Sequence, residues 1–123
     1  MPVPDLTNIE PINEAHVREL QEQVVGDGSL FNRLYSIFES EVPELIAELR
    51  ELLPKGVHAD IHEVIHKMKG SSAAMGADRI YALTTEGVLV CRSEGEFLDL
   101  DGLADLLGEE YTLYCLEAKR FLS

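Results

Sequence analysis

Glycines and prolines cut this chain of 123 residues into five stretches whose apolar residues recur at helical spacing, and no stretch keeps the apolar/polar alternation of a strand. A first helix is expected over about residues 12–25, with Ile12, Leu20 and Val24 inward and Gly26-Asp27-Gly28 as its stop. Ser29 is a natural N-cap for a second helix carrying Leu30, Phe31, Leu34, Ile37, Phe38, Leu45, Ile46, Leu49 and Leu52 and halting at Pro54, with a kink or short break at Pro43. A third helix runs from about Val57 to Met75 on a narrow stripe of Val57, Ile61, Val64, Ile65, Met68 and Met75, and Gly76 ends it. A fourth covers about Asp78 to Arg92, with Ile80, Leu83, Val90 and Cys91, and ends near Gly95. The last covers about Asp101 to Leu122, with Leu103, Leu106, Leu107, Leu113, Tyr114 and Phe121 and a weak point at Gly108. Long helices joined by short turns point to an all-α fold, an antiparallel four-helix bundle with an additional N-terminal helix. Residues 1–8 are expected to be a flexible leader and 9–123 one helical domain.

Charge narrows the partners. Ten Lys and Arg against 23 Asp and Glu leave a formal net charge of -13, which repels nucleic-acid backbones and anionic membranes. No run spans a bilayer, and Met1-Pro2-Val3-Pro4-Asp5 lacks the basic start and apolar run of a signal peptide. Cys91 and Cys115 stand apart without metal-type pairing, as buried thiols of a cytoplasmic protein would.

The third helix departs from ordinary amphipathic design. At about 100° per residue, His66 points nearly opposite the apolar stripe. Its surface neighbours three, four and seven positions away are Ala59, His62, Glu63, Lys69, Gly70 and Ala73. A helix-interior glycine costs about 0.5–1 kcal/mol relative to alanine, yet Gly70 falls on this wet side, where it opens space beside the imidazole. Ala59 and Ala73 continue the cleared lane. Lys69 brings a cation to the same patch and Lys67 a more distant one. An exposed imidazole is a competent nucleophile toward phosphoryl groups, and a nearby ammonium stabilises the charge such a group carries.

The run Ile65-His66-Lys67-Met68-Lys69-Gly70-Ser71-Ser72, followed by Gly76-Ala77, closely resembles the histidine-containing phosphotransfer (HPt) family, and Phe38 to Leu45 resembles that family's preceding helix. The likeness covers about residues 9–120. It departs at Gly87-Val88, where the family often carries Leu-Glu, which bears on packing there. The resemblance implies a carrier in a multistep two-component phosphorelay. His66 would be the phosphoacceptor, Lys69 the stabiliser of phosphate charge, Gly70 the clearance, and Ala59, His62, Glu63, Lys67 and Ala73 a docking surface. The implied partners are response-regulator receiver domains and a hybrid sensor histidine kinase. Mg²⁺ is expected in the receiver and no cofactor in this monomeric chain. The absence of a glycine-rich nucleotide loop predicts no autokinase activity, and the initial Met favours a free-standing carrier.

Two other readings fit parts of the same helix. His62-Glu63-Val64-Ile65-His66 matches the H-E-x-x-H zinc-hydrolase signature, with His58 one turn earlier and Glu86 as a conceivable further ligand. That reading lacks the glycine and third histidine of the longer signature, whose places hold Lys69 and Ser72. The other is a helical module that binds receivers without chemistry.

Overall fold

The computed structural model describes residues 4–92 and 100–122. The fold is all-α in character. Five helices are described, α1 (Glu14–Glu22), α2 (Leu30–Leu52), α3 (His58–Met75), α4 (Asp78–Cys91) and α5 (Leu103–Ala118), with 3₁₀ turns at Leu53–Lys55, Leu100–Gly102 and Lys119–Phe121. Helix α2 packs against α1, α3 and α5, α3 against α4, and α4 against α5. Phe31, Phe38, Leu49, Ile61, Ile65, Met68, Leu83, Leu107 and Tyr114 fill the space between them. Among the described residues no helix is long and apolar enough to cross a membrane.

Side-chain caps begin α1 and α2. Asn13 accepts from the His16 amide and Ser29 from the Asn32 amide. Helix α1 is shorter than its apolar spacing suggested, because Val24–Val25 instead pairs antiparallel with Gly28–Ser29. This two-rung hairpin was not legible as alternation. Gly26, at φ 61°, supplies the left-handed residue its turn needs. Val24 consequently faces solvent at 78% exposure rather than the core.

Of the kink or short break expected at Pro43, the break does not occur, and α2 runs through it without interruption. Proline cannot donate to the carbonyl four residues back, which is that of Glu39. Tyr111 on α5 donates its hydroxyl to that carbonyl at 3.3 Å, so a neighbouring helix replaces the missing bond. Nor is Gly108 a break, since α5 passes through it. Two further expectations of inward-facing residues fail. Val57 precedes α3 as its N-cap and is exposed, and Ile37 on α2 is 53% exposed. The expected end of the fourth helix near Gly95 falls outside the described residues. Cys91 and Cys115 are free and half-buried rather than fully buried, and burial raises the Cys91 thiol pKa above its ordinary value.

Gly87 explains the departure from Leu-Glu noted above. A Cβ there would lie 3.3 Å from both Ile65 on α3 and Leu103 on α5, closer than side chains ordinarily approach. The missing side chain lets α4 settle against both helices.

The C-terminal end of α3 is held from several directions. An α-helix leaves its last carbonyls without intrahelical partners. Here the Ala77 amide donates to Ser72 O at 3.0 Å and the Gly76 amide to Ala73 O at 3.4 Å, a Schellman arrangement in which Gly76 sits at φ 65°. His16 Nε2 lies 2.8 Å from Ala74 O, which makes the imidazole the donor. Tyr114 Oη donates to Met75 O at 2.7 Å, and the Asn13 amide donates to Gly76 O at 2.7 Å. Burial drives the Tyr114 phenol pKa well above the ordinary tyrosine range, and its ring meets Phe38 edge-on at 5.2 Å. Tyr114→Phe leaves Met75 O buried without that donor. It is expected to cost about 1–3 kcal/mol in urea denaturation with helical content retained.

Candidate functional site

His66 lies at the middle of α3 on the face turned away from the core, and its side chain is exposed. The core-facing residues of that turn, Ile65 and Met68, are fully buried. The helix thus anchors through one stripe and presents the imidazole on the other.

Side chains on a helix lean back toward its N-terminus, so each rests on the turn before it. A residue at position 70 would lean over His66, but position 70 is glycine. A Cβ built there meets no atom within 4 Å. The opening beside the imidazole is therefore real space, not a groove filled from another helix. Ala59 and Ala73, two turns away in either direction, are exposed as well.

On the N-terminal side the ring is not free. His62 stacks on His66, with ring centroids 5.9 Å apart and planes inclined by 21°. His62 is half-buried, and its Nε2 is shielded from solvent without a hydrogen-bond partner. Glu63 and Lys67 are both exposed and form an i,i+4 ion pair at 3.6 Å. An exposed pair of this kind contributes little to stability and leaves the ammonium available to another anion.

Lys69 is placed differently from the sequence expectation. Its Nζ lies over the Tyr81 ring of α4, 5.6 Å from the centroid, instead of standing alone beside His66. The ring's negative face holds the cation on the α4 side of the His66 turn. Tyr81 is a residue that sequence reasoning missed, because nothing in the chain order links it to Lys69. Ser71 turns the other way, donating to Glu41 Oε1 of α2 at 2.6 Å. Ser72 is buried and donates to Met68 O within its own helix at 2.7 Å. The Ser71–Glu41 bond borders a small apolar hollow lined by Leu34, Ile37, Phe38, Ala74 and Met75. Ile37 and Ala74 carry this apolar surface out to solvent.

The H-E-x-x-H spacing does lie on a helix. Its two rings stack flat, however, and Glu63 is paired with Lys67. Among the described residues no group of three or more His, Cys, Asp or Glu side chains is arranged to hold a metal ion.

An exposed imidazole thus stands on the outer face of a long helix, next to an open glycine and an ammonium held on α4. The Hpt domain family model matches residues 33–114, two-thirds of the chain including all of α3 and α4, and the chain belongs to the histidine-containing phosphotransfer family. This places it among the histidine phosphotransfer domains of two-component signalling, which interact with receiver domains. Searches of curated proteins and of solved structures each gave no significant match.

Because nothing opposes a Cβ at position 70, Gly70→Ala is expected to raise unfolding free energy by about 0.5–1 kcal/mol. Urea denaturation followed by circular dichroism checks this.

Proposed function

We propose that this protein is the phosphocarrier of a multistep phosphorelay. It takes a phosphoryl group onto His66 from the aspartate of one receiver domain and passes it to another. The observation that carries this reading is the exposed His66 ring beside the open volume at Gly70. In the accepting step a nitrogen lone pair of His66 forms an N–P bond while the P–O bond to the receiver's aspartate breaks. The carboxylate departs with that electron pair, and the imidazolium formed releases its proton to solvent. The return step reverses these events on a second receiver. Positioning and charge stabilisation suffice for such chemistry. Lys69 supplies a cation within one turn of the reacting nitrogen, and Lys67 a weaker one. Mg²⁺ belongs to the receiver, and this chain needs no cofactor of its own.

Docking in this reading uses Ala59, His62, Glu63, Lys67 and Ala73 around the imidazole. The small residues let a receiver's backbone approach, and the lysines complement its acidic site. The packing of α2 on α3 and α5, and of α4 on those two, supports an antiparallel four-helix bundle with α1 added at one end. We read residues 9–123 as one domain behind a short leader, working as a cytoplasmic monomer downstream of a hybrid sensor histidine kinase.

The experiment is transfer of ³²P from a panel of phosphorylated receivers. The wild-type protein is expected to acquire acid-labile, base-stable label, and His66→Gln none. Lys69→Ala should slow transfer roughly tenfold, less than the loss of a donor in a water-excluded site because this one is open and screened. Gly70→Leu should fold normally yet transfer poorly, since the new side chain leans over the ring. ATP alone should leave no label. Transfer undiminished in His66→Gln would end the proposal.

A further inference from the structure

We propose that His62 is a positioning residue for His66, its ring acting as a flat wall that holds the reactive imidazole in one orientation. This rests on His66 being the phosphoacceptor, and it assigns His62 a role that exists before any receiver docks. Three observations converge. His66 leans back toward position 62 by the ordinary tilt of helical side chains, and the two rings lie nearly parallel at 5.9 Å. The opposite flank, at Gly70, holds no side chain at all, so the stack is the lateral support the ring has along its own helix. Finally, Nε2 of His62 is shielded from water and has no hydrogen-bond partner. A shielded polar atom left unpaired works against folding, and an aliphatic side chain would fill the site without that penalty. The ring is therefore poorly explained as packing and poorly explained as a hydrogen-bonding device. A planar face against His66 is what remains.

The consequence for chemistry is orientational. An exposed histidine samples several χ1 and χ2 settings, few of which direct a nitrogen lone pair along the line of an incoming phosphorus. Stacking on one face reduces those settings, and the empty flank leaves the approach clear. Part of the entropy of alignment is thus removed before the donor arrives.

A partner-free phosphoryl donor separates this role from docking. Phosphoramidate supplies one: the His66 nitrogen forms the N–P bond, the P–N bond to the donor's protonated amino group breaks, ammonia leaves with the electron pair, and the imidazolium formed releases its proton to solvent. The rate of His66 phosphorylation is measured for wild type and for His62→Ala, His62→Leu and His62→Phe, each checked for cooperative unfolding. Leucine fills the half-buried site without a planar face, and phenylalanine restores the face without nitrogens. Phosphorylation is expected to slow about tenfold in the Ala and Leu variants and to stay within about twofold of wild type in Phe. Wild-type rates in Ala and Leu, with only receiver-dependent transfer reduced, would overturn the inference and leave His62 a docking residue. A Phe variant as slow as Leu would also overturn it, because a flat ring would then not be the active element. No label on the wild-type protein from either phosphoramidate or receivers would instead remove the phosphoacceptor reading itself.

Discussion

The carbonyls at the C-terminal end of α3 are the point on which the rest of the structure turns. Five consecutive acceptors, from Ser72 to Gly76, take donors from the α3–α4 turn, from α1, from the residue before α1, and from α5. Each bond contributes only about 0.5–1.5 kcal/mol on balance, but leaving a buried one unmade costs more. The set therefore specifies geometry more than it adds stability. It fixes where α3 ends, and by helical periodicity where His66 points.

From that fixed end, three glycines set clearances by three physical routes. Gly76 supplies a left-handed backbone with its Cβ position already crowded by α1. Gly87 permits α4 to lie against Ile65 and Leu103. Gly70 meets nothing, and its effect is on what approaches from outside. The other two have packing reasons and Gly70 has none, which is why the proposed function gives it the role of clearance. Electrostatics follows the same economy of position. A chain of net charge -13 keeps two lysines at the His66 turn, one paired along the helix with Glu63 and one drawn onto Tyr81. Neither is locked by a buried ion pair.

The helical character, most helix boundaries within a few residues, and the exposure of His66 were legible in the sequence, because periodicity and capping are local signals. What escaped was set by distant parts of the chain. Pro43 reads as a break until Tyr111, 68 positions on, takes the carbonyl it leaves unbonded. Val24 and Ile37 fit an apolar stripe by spacing, but the hairpin turns one out and the α2–α3 hollow leaves the other at its rim. At the site, Ala59, Gly70 and Ala73 are open as their positions implied. The hold on Lys69 by Tyr81 and the Ser71–Glu41 bond depend on how α4 and α2 lie beside α3, which no short-range pattern encodes. The His62 ring could be placed near His66 by its four-residue spacing, though not its stacked attitude or its orphaned nitrogen.

The bonds from Asn13 and His16 bear on where the working unit can be cut. The family match begins at residue 33, after both of them. A fragment trimmed to the matched boundaries would keep the phosphotransfer motif and its neighbours on α4 while stripping two of the five donors from the far end of the same helix. The matched segment is thus shorter than the mechanical one. Domain swaps or chimaeras built from this chain should carry the first turn of α1 with them, even though no chemistry resides there.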